Sequence, residues 1–294
     1  MQRPVPALSD LSVTEFITLS RAGFLPHGLV IGASVYNAGQ LATSSRGLFE
    51  DIAAAFSGAA PVYATGEVRQ LSLAMRSART LAIHRMHEQA ARFGAEGVVG
   101  VRLNVEHHQW RGGNQVAKFI AMGTAIGFDP QHAPAEFRNA PSLRLANGEP
   151  FTSDLAGQDF VAILRAGYRP VSVATGTCVY QLDMREAAPY AGYSAEMTSY
   201  TQAFLGARET AMQRLQQDLF DEWPPGHADC PIGIVGMTVS EIVFGGAGTS
   251  ARRYQGPPIV EFSAIGTAIA PLHPSDPRRA RQMPKPLTVV PLDR

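Results

Sequence analysis

A chain of 294 residues, 45% hydrophobic and 17% charged, carries enough apolar material for about two domains, each with its own core. Its 25 Lys and Arg balance 25 Asp and Glu, so no electrostatic footprint marks it for nucleic acid or an anionic lipid surface. Two cysteines, Cys178 and Cys230, are too few for a disulfide framework, and no run approaches the roughly 18 apolar residues of a spanning helix. The opening Met1-Gln2-Arg3-Pro4 also lacks the apolar stretch of a secretory signal, so the expectation is a cytoplasmic protein with neither nucleic acid nor membrane as partner.

In chain order, Ser12-Val13-Thr14-Glu15 has capping-box spacing and opens a short amphipathic helix that Gly23 can end. A strand is predicted over 29–36. A long helix follows over 66–93, its apolar stripe made of Leu71, Met75, Ala78, Ala82, Met86 and Phe93, with Gly94 as the stop. Val99, Val101, Leu103 and Val105 alternate with polar residues, as in a strand with one packed and one wet face. Arg111-Gly112-Gly113-Asn114 suits a hairpin turn. The strand over 116–126 is small or apolar on both faces apart from Lys118, which predicts cover on both sides. One long helix covers one face, so the other should meet the sister half or another subunit.

These elements return. Residues 9–36 align without a gap on residues 153–180 at an offset of 144, with eleven identical pairs, among them Asp10/Asp154, Gly23/Gly167, Gly32/Gly176 and Val35/Val179. Ala78-Arg79-Thr80-Leu81-Ala82 is echoed by Ala207-Arg208-Glu209-Thr210-Ala211 in a second helical stretch striped by Tyr200, Phe204, Leu215 and Leu219. Residues 97–101 recur at 233–237, and 119–126 at 262–269. A period of domain size means a tandem pair. The expected division is copy one over 1–128, a linker over 129–150 with Pro130, Pro134, Pro141 and Pro150, copy two over 151–272, and a Pro- and Arg-rich tail over 273–294.

The helix running into Arg92-Phe93-Gly94-Ala95-Glu96-Gly97-Val98-Val99-Gly100, the first-strand sequence Gly32-Ala33-Ser34-Val35-Tyr36 and the closing Gly123-Thr124-Ala125 resemble the YbjQ-like family, whose usual label is "putative heavy-metal-binding". Residues 29–128 carry the resemblance; residues 173–270 look like a diverged second version, kept by 233–236 and Gly266-Thr267-Ala268. The resemblance implies a small β-α-β-β fold; with the internal repeat, the expectation is an α+β fold, a tandem duplication of that unit in two layers (antiparallel sheet and one long helix), each unit preceded by a short helix. It also implies self-association in a ring, as a pentamer or a ring of tandem units, since single-copy relatives are pentamers. Copy two departs from it at Pro224-Pro225-Gly226-His227-Ala228-Asp229-Cys230-Pro231. The family carries no agreed catalytic residues, so none is assigned.

For a transition or heavy metal as cofactor, the donors to weigh are His227 with Cys230, three apart in a Pro-rich loop, and the neighbouring His107 and His108. His84 and His87 stand three apart on the long helix, and Cys178 lies within a strand. Beside each stands an ordinary reading: a loop residue without a ligand, a solvated hairpin end, a polar helix face, a small core hydrophobe. Phosphate-loop, nucleophile-elbow and zincin motifs are absent. Trp110 beside Arg111 at the hairpin end could touch a partner or simply form an amphipathic rim. The expected function is therefore a non-catalytic, oligomer-forming protein binding a metal or small ligand. The alternative is an enzyme with its site at the seam between copies or subunits.

Overall fold

Local chemistry starts the fold where the sequence places it. Glu15 N–H donates to Ser12 Oγ at 3.3 Å and Ser12 N–H to Glu15 Oε2 at 2.7 Å, completing the capping box of helix α1 (Val13–Arg21). Gly23, at φ +88°, takes the left-handed position past the cap, where a Cβ would also sit 2.6 Å from that of Ala133. The computed structural model describes residues 7–39, 65–109, 115–138, 140–182, 196, 198–244 and 259–273. The expected turn at 111–114, Trp110 and the tail beyond 273 lie outside them.

After α1 come β1 (Phe24–Gly39), β2 (Gly66–Glu67), α2 (Arg69–Arg92), β3 (Gly97–Gln109) and β4 (Gln115–Phe128). A short α3 (Ala135–Arg138) leads to β5 (Phe151–Thr152), α4 (Gly157–Arg165), β6 (Tyr168–Gln181), α5 (Thr198–Glu222), β7 (Gly233–Phe244) and β8 (Ile259–Pro271). The fold is α+β. One sheet has the order β1-β4-β3-β5 and the other β2-β6-β8-β7. The long strands pair antiparallel, whereas β5 runs parallel to β3. The two short strands are exchanged: β2, from the first half, pairs with β6, and β5, from the second, pairs with β3.

Three details differ from the sequence reading. The long helix begins at Arg69, because Gly66 and Glu67 pair with Gln181 and Tyr180, and Val68 N–H donates to Val179 O at 2.9 Å. Phe93 is the C-cap and 44% exposed, so Ala90 closes the buried stripe in its place. The alternation of β3 breaks at Gly100, φ +64°, where the register slips between Val99 and Arg102. This bulge sends Val98 and Val101 into one core and Val99 into another. Gly236, φ +68°, marks a like slip in β7.

Helix α2 lies between the two sheets. Toward the first sheet, a Cβ on Gly32 would sit 2.0 Å from Ala82 O, so only glycine admits the helix so close. Toward the second, Val179 N–H donates to Ser72 Oγ at 2.9 Å and Arg79 to Glu261 at 2.5 Å. Helix α5 covers the opposite face of the second sheet, where Gly176 would meet Ala211 O at 2.3 Å. The order through the molecule is α5, second sheet, α2, first sheet.

One core spans both halves, joining Leu19, Phe24 and Ile126 to Phe151, Phe160 and Val171. Phe24 stands edge-on to Phe160 at 5.1 Å, and Phe160 stacks on Phe151 at 5.5 Å. The segment between the halves is packed: Ala133, Phe137, Leu143 and Leu145 are all buried there, each large side chain contributing about 1.5–3 kcal/mol. The outer face of the first sheet is thus closed at the Ile126 end. At the other end it is open, with Ile31 47% and Val35 63% exposed beside half-buried Ile120 and Met122.

Candidate functional site

Because α2 and α5 lie on opposite faces of the second sheet, they meet around the edge of β6 and leave a cleft of about 450 Å³. Its floor is residues 171–175 of β6; its walls carry Arg76, His84 and His87 from α2, Asp218 and Glu222 from α5 and Trp223 just past its end, with Glu149 and Pro150 at one end. Arg76 pairs with Asp218 across the cleft. His87 Nε2 donates to Pro150 O at 2.7 Å, and His84 lies 3.3 Å from Glu88. Burial raises the Asp218 carboxyl against the pull of Arg76. Burial also raises Glu222; His87 opposes this and Glu149 adds to it. The arrangement suits a small polar ligand.

Of the sequence candidates, His84 and His87 both line this cleft. His227 stands in the loop after α5, its ring 5.2 Å from that of Trp223 and its Nδ1 accepting from Asp229 N–H at 3.1 Å. Asp229 is buried, pairs with Arg169 and accepts from Ala146 N–H at 2.8 Å. Cys230 is half-buried, its Sγ 3.8 Å from Pro231 O. The loop thus spends its polar groups on anchoring itself and the segment between the halves. His107 and His108 lie on β3 opposite Ala117 and Val116, with side chains outside the described residues. Burial and nearby Glu67 push the Cys178 thiol up to about 11, so it stays protonated at neutral pH. Among the described residues no group of three His, Cys, Asp or Glu side chains that could hold a metal ion comes together.

Sequence reasoning missed Arg76, Glu149, Asp218 and Glu222. A charged residue on a helix has a solvated face as its ordinary reading, and only the approach of two distant helices turns these into a cleft wall. Trp223, just past the end of α5, is fixed at the cleft by donating Nε1–H to Ser172 Oγ at 3.3 Å.

No helix among the described residues is long and apolar enough to cross a membrane. Residues 28–129 match the family described as "putative heavy-metal-binding". The chain is similar to the encapsulin nanocompartment protein of Mycobacterium tuberculosis, 35% identical over 257 residues that cover 83% of this chain and 85% of that protein. It is also similar to a UPF0145 protein of Pseudothermotoga lettingae, 32% identical over 99 residues, 34% of this chain and 78% of the relative. None of these names describes a catalytic activity. These matches show that the chain belongs to the YbjQ-like family.

Proposed function

We propose that the chain is a non-catalytic, self-associating cytoplasmic protein made of two tandem YbjQ-like copies, serving as a structural part of a larger protein assembly. The open apolar end of the first sheet, with Ile31, Val35, Ile120 and Met122, carries the reading, because such a face in a solution protein calls for a partner. The printed name of the mycobacterial relative, a nanocompartment protein matched along 83% of this chain, supports an assembly of that kind.

The division into copies at 1–128 and 151–272, joined by 129–150 and followed by the tail 273–294, draws support from paired positions. Asp10 N–H donates to Thr124 Oγ1 at 3.1 Å, and Asp154 N–H to Thr267 Oγ1 at 3.0 Å. Arg85 reaches Ala33 O at 2.5 Å, and Arg214 reaches Thr177 O at 3.2 Å. The family description makes a transition or heavy metal the first ligand to test, with His227, Cys230, His107 and His108 as the donors to substitute.

Native mass spectrometry of the untagged chain before and after a chelator tests the reading. It is expected to give one discrete multimer; a monomer at micromolar concentration would remove it. A second reading, an enzyme working in the cleft, is favoured by the raised Glu222 carboxyl facing His87. That reading fails if any turnover found survives both Glu222→Gln and His87→Asn.

A further inference from the structure

We propose that the open face of the first sheet receives α5 of a second copy, in the relation that α2 holds to the second sheet within one chain; this rests on the self-association reading above. The two halves are not related by a two-fold. Among the described residues helix α2 packs on strands of both sheets, whereas the packing of α5 is chiefly on β6 and β8 of the second. A head-to-tail relation of this sort leaves one acceptor face and one donor helix unused at the two ends of the molecule, and repeating it builds a ring or a filament.

The register of that contact can be read off. The Gly32–Ala82 and Gly176–Ala211 approaches fix helix positions 129 apart as counterparts, so Ser72 corresponds to Thr201 and Arg76 to Leu205. Within the chain, Val179 at the edge of β6 donates its N–H to Ser72 Oγ at 2.9 Å and receives Val68 N–H on its carbonyl. Its counterpart Val35 lies on the edge of β1 that pairs with no strand among the described residues. Along that edge Ile31 N–H donates to Gln89 at 2.7 Å and Ala33 O accepts from Arg85. The outward groups of Val35 come next in line, and no described residue takes them. Thr201 carries the hydroxyl that Ser72 supplies, and Leu205, 40% exposed, offers an apolar contact where α2 has an arginine.

Composition agrees. The open face presents Ile31, Ala33, Val35, Ile120 and Met122, where the face of the second sheet toward α2 has Thr175, Thr177, Val179, Ser263 and Ile265, buried at Thr177 and Val179 and half-buried at the others. The uncovered surface is the more apolar of the two, which fits burial against a second chain. The charges are rearranged as well: Lys118 stands where the second sheet has Glu261, with Glu106 3.4 Å away on β3. Arg208, at the position of Arg79, would turn to Glu106.

The test uses full-length chains carrying Cys230→Ser. Val35→Cys and Thr201→Cys chains, co-expressed and oxidised with copper phenanthroline, are expected to give a mixed disulfide at least ten times more abundant than either variant alone produces. Self-linked Val35→Cys dimers would mean a face-to-face contact and overturn the proposal. An intact multimer without the mixed link would overturn it too while leaving self-association standing; a monomer would remove both. As a second variant, Val35→Asp, at an exposed position, should dissolve the multimer with the circular dichroism unchanged, and an undiminished multimer counts against the contact.

Discussion

Arg79 on α2 and Glu261 on β8 form an ion pair at 2.5 Å, their side chains 4% and 0% exposed, between residues 182 positions apart in the two halves. The Arg79 guanidinium also lies 5.5 Å from the centre of the Phe119 ring. One cation thus ties the second sheet to the first through the helix between them. Burial pulls the Arg79 pKa down, and Glu261 opposes this. Arg79→Met should cost about 3–5 kcal/mol, because it strips a buried carboxylate of its countercharge, and Glu261→Leu in the same chain should recover most of the loss. Urea unfolding midpoints of the two variants check this.

Glycine at 32 and 176 is a steric requirement. A Cβ would stand 2.0 Å from Ala82 O and 2.5 Å from Met86 N in one case, and 2.3 Å from Ala211 O in the other. Alanine at either position should therefore lower stability by about 2–3 kcal/mol, since helix and strand must part. Gly66→Ala, where nothing lies within 4 Å, is the control and should stay within about 0.5 kcal/mol of the parent. Thermal melts decide.

Glu222 predicts a pH dependence. Its carboxyl is raised above the ordinary 4.5 by burial, so the folded state holds the proton more tightly than the unfolded state does. Its contribution is complete below the ordinary value and is lost as pH rises through the raised one. Glu222→Gln should be the more stable form at pH 7, by roughly 0.5 kcal/mol or less because the group keeps solvent contact. The gain should vanish toward pH 4. A gain that grew on acidification would contradict the assignment.

The loop after α5 gives a prediction for metals. His227 Nδ1 already accepts from Asp229 N–H, and no third described donor converges on it. Cadmium at 0.1 mM order should shift the melting temperature by less than about 1 °C, since stabilisation follows occupancy of a site that binds the folded state. A larger shift, lost in Cys230→Ser, would locate a metal there after all.

Much of the fold was legible because its signals are local and periodic. The Ser12–Glu15 box, the stripe from Leu71 to Met86 and the left-handed Gly23 and Gly94 each need only a few neighbouring residues to declare themselves. Strands β2 and β5 were not legible, since two residues have no period. The bulge at Gly100 escaped because apolar residues on both sides of it mimic unbroken alternation. At the cleft, the spacing of His84 and His87 could be read within one helix, but their neighbours Asp218 and Glu222 come from a helix more than a hundred residues away. Arg79 was visible only as part of an echoed motif, with nothing near it in sequence to announce Glu261.

The exchange of β2 and β5 makes each sheet depend on a loan from the opposite half. Opened after Arg138, the polypeptide would yield two fragments that complement one another in trans, neither holding its own edge strand when alone. Covalent fusion therefore guarantees equal supply of both pieces and their mutual capture, so that the building block is complete before any neighbour arrives.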